Sequence, residues 1–338
     1  MIMSSTNSQT GPIAAPRPAR RGRDVLFLAG LFALMLIGLL GLAAATGWEE
    51  TKTQLAKLSL NHVAILLALS LLNYFFRAGR WHMFARRLGL PTRFSQDLRH
   101  FLGGFAMSIT PGRVGELIRM RWLRRETGWA AVRTAPLVLI DRASDLAAMA
   151  IILGVSVSLS ATGIAGAVPV TILAFGTAII VTRPALLSRI TTFLYKSIGR
   201  WPRLFGRIRL AARSLKQFTG LPILFGALIF GLIGWMAEGY AFYLLLGWLG
   251  SDMSISMAVA IFVFSTLAGC LTGAPGGVGG AEAAMVALLT MEGIPLETSL
   301  PATAIIRITT LWFAIGIGMA VFPFAERISL RKQHALEN

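Results

Sequence analysis

"SITPGRVGE" at residues 108–116 and "LTGAPGGVGGAE" at residues 271–282 place the same kind of phrase inside two apolar stretches: a proline, closely spaced glycines, then a glutamate. Proline lacks a backbone donor and its ring clashes with the preceding turn, so each phrase ends a helix part-way through a hydrophobic segment. Each segment, about 95–125 and about 254–291, reads as an apolar stretch, a Pro-Gly elbow and a second short helical stretch. That pattern suits a helical hairpin that dips into a bilayer and leaves by the side it entered.

Composition agrees with a membrane setting. Hydrophobic residues make up 55% of the 338-residue chain and charged residues only 14%, with a mean hydropathy of +0.68; a soluble domain is excluded. Runs such as "VLFLAGLFALMLIGLLGLAAA" (25–45) and "ITTLWFAIGIGMAVFPF" (308–324) approach or reach the roughly 20 residues a helix needs to cross a bilayer. The first is too long and Leu-rich for a cleaved signal and reads as a retained helix. A lone Cys270 excludes an intrachain disulfide, and His62, His82, His100 and His334 show no metal-ligand spacing, so no metal or cofactor is expected.

The net charge of +17 does not point to nucleic acid, because the basic residues cluster between apolar runs. Arg17, Arg20, Arg21 and Arg23 precede the first span; Arg86, Arg87, Arg93 and Arg99 follow the second; Arg119, Arg121, Arg124 and Arg125 follow the first broken segment. Nine Lys or Arg lie between Arg183 and Lys216, and Arg327, Arg331 and Lys332 lie near the C-terminus. The turns 45–60, 160–165, 248–254 and 291–298 are poorly basic. With basic loops cytoplasmic, spans at 25–45, 62–84, about 131–159, about 164–181, about 221–247 and 300–324 alternate in direction, and both termini are cytoplasmic. The expected fold is an all-α polytopic membrane protein of about six spanning helices plus two re-entrant hairpins, one entering from each side.

Opposite entry matters because the two segments resemble each other beyond their elbows. Arg142 in "LVLIDRASDLAAM" lies 31 residues after Pro111, and Arg307 in "ATAIIRITTLWFA" lies 32 after Pro275. Glu116 precedes Arg142 by 26 residues and Glu282 precedes Arg307 by 25. Each half also opens with a span carrying polar groups, "NYFFRAGRW" (73–81) and "GWMAEGYAFY" (234–243). Similar sequence inserted with opposite topology is the inverted repeat of transporters, whose broken helices meet near the midplane. The domain plan is a basic tail over 1–22, one transmembrane domain over 23–328 and a second tail over 329–338. Within the domain, repeat one covers about 61–159 and repeat two about 221–324, joined by an amphipathic basic connector over 183–217 suited to a cytoplasmic leaflet surface.

The elbows have anion-binding chemistry, since a half-helix that starts after Pro-Gly presents unsatisfied N–H groups. Gly112, Gly115, Gly276, Gly277, Gly279 and Gly280 permit the positive φ of a nest, and Arg113 could pair with a phosphate in the first. The competing account is that these glycines only allow tight helix packing. Charges within apolar segments, namely Glu116, Asp141, Arg142, Asp145, Glu238, Glu282 and Arg307, either form structural pairs (Glu116 with Arg142, Glu282 with Arg307) or line a hydrophilic cavity. Asp141 and Asp145, at i and i+4, share a helix face.

"TPGRVGELIRMRWLRRETG", "LIDRASDLAAM", "APGGVGGAEAAMVALL" and "AIIRITTLWF" together resemble the lysylphosphatidylglycerol synthase transmembrane-region family, also known through flippase-like, UPF0104-type relatives; the likeness covers roughly residues 60–325. The resemblance implies a lipid translocase domain, here as a stand-alone member without the synthase domain. The residues that match its motifs are Arg80, Trp81, Pro111, Gly112, Gly115, Glu116, Asp141, Arg142, Asp145, Pro275, Gly276, Gly277, Gly279, Glu282 and Arg307. With Arg113 and Glu238 added from the reading of the residues themselves, these form the expected substrate-binding set. The expectation is a bacterial inner-membrane translocase, not an enzyme, that moves an anionic phospholipid or lipid-linked headgroup between leaflets. Two alternatives stay open: a membrane-embedded transferase acting on a lipid phosphate, and a non-catalytic partner of a separately encoded lipid-modifying enzyme. Expected partners are membrane lipids, with no nucleic acid; a homo-oligomer is compatible with the reading.

Overall fold

The computed structural model describes residues 56–108, 115–160, 164, 166–198 and 215–337, together with positions 30, 33, 52 and 53. Most of the expected first span, the tail over 1–22, the elbow at Pro111, Gly112 and Arg113, and positions 199–214 of the connector lie outside these residues. The described residues are helical, with no strand among them. The helices are α1 (Leu60–Leu88), α2 (Phe94–Gly104), α3 (Gly115–Thr127), α4 (Ala131–Ser158), α5 (Ala167–Thr182) and α6 (Pro184–Ile198). They continue as α7 (Leu221–Trp248), α8 (Ile255–Leu271), α9 (Gly280–Met291), α10 (Leu296–Arg307), a π-helical segment (Ile308–Trp312) and α11 (Phe313–Glu337).

Local chemistry sets the ends. Ser59 Oγ accepts from His62 N–H at 3.3 Å and starts α1, while Gly89, at φ 86°, lets the chain leave α1 through a left-handed residue. Ser254 caps α8 through Met257 N–H at 3.3 Å. Between α8 and α9, Gly276, Gly277 and Gly279 have φ of 62°, 69° and 87°, a run that only glycine adopts at little cost.

Three helical stretches among the described residues are long and apolar enough to cross a membrane: Leu60–Leu88, Leu221–Trp248 and Leu296–Leu336. Of the six expected spans, those at 62–84, about 221–247 and 300–324 fall on these stretches, and most of the one at 25–45 lies outside the described residues. α4 has the length, but Asp141, Arg142 and Asp145 interrupt its hydropathy. The span expected at 164–181 is the shorter α5, which bends by 101° into α6; Pro184 opens the new helix, as proline does at a first turn.

α1 and α7 pack side by side at the centre, with α4 against α7. The hairpin of α2 and α3 packs on α11, and the hairpin of α8 and α9 packs on α7 and α4. The open end of the first hairpin is closed by Glu126 near the end of α3. Its carboxylate accepts from Gln96 Nε2 at 2.6 Å, Arg99 Nη2 at 2.8 Å and His100 Nε2 at 3.0 Å, all on α2. Burial pushes the Glu126 carboxyl up, but the hydrogen bond and charge of His100, then Arg99, outweigh it and hold the group below its ordinary range. Glu326 on α11 completes the fastening, accepting from Trp122 Nε1 at 2.7 Å, Arg125 Nη1 at 2.6 Å and Arg121. Arg87 Nε reaches Gln217 O at 3.1 Å at this same basic pole. The opposite pole gathers the poorly basic turns: a cavity of about 590 Å³ is lined by Ser160, Asp252, Ser254, Glu292 and Thr298. The start of α8 and the end of α9 thus share one pole, and the start of α2 and the end of α3 share the other.

Glycine allows the first hairpin to press onto α11. A Cβ on Gly318 would lie 2.2 Å from Ala106 N and 2.7 Å from Phe105 C, whereas one on Gly316 would meet nothing within 4 Å. Gly318→Ala should lower stability by about 1–3 kcal/mol, the usual cost of overpacking, and Gly316→Ala should change it by less than about 0.5 kcal/mol. Thermal unfolding of the detergent-solubilised protein, followed by size-exclusion fluorescence, checks the difference.

Candidate functional site

A layer of charges lies where α1, α4 and α7 meet. Arg80 has no exposed side-chain surface. Its Nε and Nη2 reach Asp141 Oδ1 at 3.0 and 2.6 Å, and Nη2 also reaches Asp145 Oδ1 at 2.7 Å. One guanidinium therefore clasps two carboxylates one helical turn apart on α4, which the i, i+4 spacing places on one face. Gly231 on α7 leaves the room: a Cβ there would lie 3.1 Å from Arg80 Nη1 and 2.8 Å from Ala148 Cβ.

The other faces of these carboxylates point towards a cavity of about 360 Å³. Asp145 Oδ2 meets Arg77 Nη2 at 2.8 Å and Arg142 Nη1 at 3.3 Å, and Asp145 Oδ1 accepts from Trp235 Nε1 at 3.1 Å. Arg142 also reaches Asp141 Oδ2 at 3.0 Å. Arg77 lies over the Trp235 ring, 5.0 Å from its centroid. From the first hairpin comes Arg119, with its Cζ 4.2 Å from the Phe101 centroid and Nη2 donating to Phe101 O at 3.2 Å. Gly104 makes that approach possible, since a Cβ there would lie 2.4 Å from Arg119 Nε.

The far wall is the second elbow. Arg307 Nε donates to Glu282 Oε1 at 2.6 Å and Nη2 to Gly276 O at 3.0 Å, so Arg307 ties the elbow to the end of α10. Glu282 in turn accepts from Gly279 N–H at 2.6 Å. The π-helical turn after Arg307 exposes Thr310 O, which accepts from Tyr74 OH at 2.5 Å; such turns concentrate at functional sites. Ser108, beside the first elbow, and Gly276, in the second, line the same cavity.

Of the residues expected from sequence, Arg142, Asp145, Glu238, Gly276 and Arg307 line the cavity. Arg80 and Asp141 sit behind its wall and position Asp145 and Arg142. Gly277 is packed against the Gly269 backbone, 3.2 Å from the Gly269 Cα for an added Cβ, and Gly279 has its N–H occupied by Glu282. At the second elbow, then, packing and the protein's own carboxylate use two of the glycines expected to cradle an anion. Pro275 opens the elbow turn. Gly115 and Glu116 open α3, but the Glu116 side chain, and with it the expected pair with Arg142, lies outside the described residues, as do Pro111, Gly112 and Arg113.

Sequence reasoning missed Arg77, Arg119, Tyr74 and Trp235. Arg77 stood in the quoted "NYFFRAGRW", one helical turn before Arg80. Arg119 stands in a basic run with Arg121, Arg124 and Arg125, but it shares one helical face with Trp122 and Glu126, and all three are buried. Chemically, four arginines from four separate elements, Arg77, Arg119, Arg142 and Arg307, converge on one cavity. Guanidinium groups offer forked donors suited to a phosphate or carboxylate. Replacing Arg80 by Ala should destabilise the protein by about 3–5 kcal/mol, because both carboxylates stay buried without their partner. Arg80→Met with Asp141→Leu should recover part of that loss, read as the shift in unfolding temperature.

A family model described as the lysylphosphatidylglycerol synthase TM region matches residues 26–318. Two curated relatives, each a UPF0104 membrane protein of Methanothermobacter thermautotrophicus, are 32% identical over 110 residues and 28% identical over 105. The aligned segments cover 32% and 31% of this chain and 32% and 29% of the relatives, so the likeness spans about a third of their length.

Proposed function

The chain belongs to the lysylphosphatidylglycerol synthase TM-region family, a family of membrane proteins, and from that premise we propose that it is a lipid translocase: it takes an anionic headgroup into the arginine-lined cavity and passes it between leaflets. The observation that carries this reading is the convergence of Arg77, Arg119, Arg142 and Arg307 on a cavity shared by both broken hairpins. A phosphate in hydrocarbon is costly, and guanidinium groups at the cavity wall lower that cost while the acyl chains stay in lipid. The apolar part of the wall, including Leu146, Met149, Phe262 and Ala314, suits the region below a headgroup.

Two further features support an inverted repeat. The hairpin of the first half packs on α11 of the second half, and the hairpin of the second half packs on α4 of the first. The open ends of the two hairpins lie at opposite poles. In this reading the basic pole faces the cytoplasm of a bacterial inner membrane, following the positive-inside rule, and both termini lie there. The protein works on lipid without making or breaking a covalent bond; any group transfer would belong to a separate enzyme.

Purified protein reconstituted into vesicles with fluorescent phosphatidylglycerol should make the inner-leaflet probe accessible to an external quencher. Losing one charge-assisted contact, worth about 1.5–3 kcal/mol, in Arg307→Gln or Arg77→Gln should slow exchange by roughly 10- to 100-fold. Arg124→Gln, on the exposed surface of α3, should leave the rate unchanged. Equal rates in the wild type and Arg307→Gln overturn the reading, and a new lipid product seen by mass spectrometry replaces it with the transferase.

A further inference from the structure

Glu238 differs from every other described carboxylate in this layer. Asp141 is held by Arg80 and Arg142, Asp145 by Arg77, Arg80 and Arg142, and Glu282 by Arg307 and the Gly279 N–H. Glu238 is 5% exposed, lines the cavity, and makes no hydrogen bond or ion pair with a described residue. It sits one helical turn after Trp235, whose indole is engaged by Asp145.

The groups sharing the cavity with Glu238 come from every element around it. α1 contributes Tyr74 and Arg77, and α4 contributes Arg142 and Asp145. Arg307 comes from α10, Arg119 from α3, and Thr266 and Cys270 from α8. Arg77, Arg307 and Asp145 lie within electrostatic reach of the Glu238 carboxyl. Asp145 is committed to its three arginines, and Tyr74 donates its proton to Thr310 O. That leaves Glu238 as the described acid in the cavity whose proton can come and go without breaking an ion pair.

An anion entering between Arg77 and Arg307 takes up the cationic field that otherwise offsets a charged Glu238. Two anions in one cavity of about 360 Å³ repel, and protonating the carboxyl removes the repulsion. Resting on the translocase reading, we infer that Glu238 binds one proton as a lipid phosphate enters the cavity and releases it as the phosphate leaves, so that headgroup and proton cross together. The proton comes from water on the loading side, forms an O–H bond on a carboxylate oxygen, and returns to water on the other side; no electrons move. A monoanionic phosphodiester and one proton make a neutral load, so movement responds to a pH difference and not to a voltage.

The sign follows from linkage. If the loaded state binds one more proton than the empty state, headgroup affinity falls by up to about tenfold per pH unit as pH rises through the coupled range. The test uses the full-length protein in vesicles with fluorescent phosphatidylglycerol and an internal pH dye. Wild-type exchange should be faster at pH 6 than at pH 8, an imposed pH difference should drive net probe towards the alkaline leaflet, and about one proton should move per lipid. In Glu238→Gln the rates at pH 6 and pH 8 should become equal and the pH difference should drive nothing. Wild-type exchange that ignores both pH and gradient overturns the proton role while leaving translocation standing, and this result needs no variant. Absence of wild-type exchange at every pH overturns translocation and the proton role together. Selective loss of phosphatidylethanolamine exchange in Glu238→Gln, with pH dependence intact for phosphatidylglycerol, overturns the proton role and assigns Glu238 to a cargo ammonium.

Discussion

The grip of one buried arginine on two carboxylates organises the rest of this molecule. Arg80 on α1 is wholly enclosed and closes on Asp141 and Asp145 of α4. A charge in that position is tolerated only when it is paired, and the pairing made through Nε and Nη2 fixes the register of α1 against α4. It also decides what remains available. With their inner oxygens taken by Arg80, the carboxylates present their outer oxygens to Arg77 and Arg142, and those arginines are thereby held at the cavity wall. Arg80 is a positioning residue: it shapes the cavity without lining it.

The second elbow answers to another constraint, the demand that interrupted backbone inside a membrane be satisfied by the protein. At the second elbow the protein satisfies itself. Arg307 donates to Gly276 O, and Glu282 accepts from Gly279 N–H while pairing with Arg307. The arms can approach because Gly269 and Gly280 have no side chain; an added Cβ would lie 2.7 Å from Ala281 Cβ in one case and 2.3 Å from Thr272 Cγ2 in the other. The first hairpin is secured at its open end, where Glu126 gathers three donors of α2 and Glu326 gathers three of α3. Residues of both hairpins, Ser108 and Arg119 of the first and Gly276 and Ala281 of the second, meet across one cavity.

Much of this was legible in the sequence, for physical reasons. Proline and clustered glycine inside apolar runs marked the broken helices, the near-equal spacing of Glu282 to Arg307 and Glu116 to Arg142, 25 and 26 residues, pointed to the pair that closes the second elbow, and the alternation of basic and poorly basic turns sorted the loops to the two poles the structure displays. Other features were hidden. Arg119 follows an elbow in a basic run, and only its helical phase with Trp122 and Glu126 distinguishes it from the surface arginines beside it. The π-helical turn after Arg307, whose Thr310 O accepts from Tyr74 OH, leaves no compositional mark. Hydropathy placed a span near 164–181, where α5 runs over Ala167–Thr182, but it could not register the 101° bend that follows, nor reveal that Gly279 spends its N–H on Glu282 instead of an external anion.

The account stands on a lipid phosphate occupying the cavity between the elbows. A cryo-electron microscopy structure of the protein in nanodiscs made with phosphatidylglycerol tests this most directly. The account predicts phosphate density within hydrogen-bonding distance of Arg77, Arg119, Arg142 or Arg307, with acyl chains leading out between the helices. Ordered phosphatidylglycerol found only around the outer surface, with side chains filling the space between Ser108 and Gly276, would contradict it.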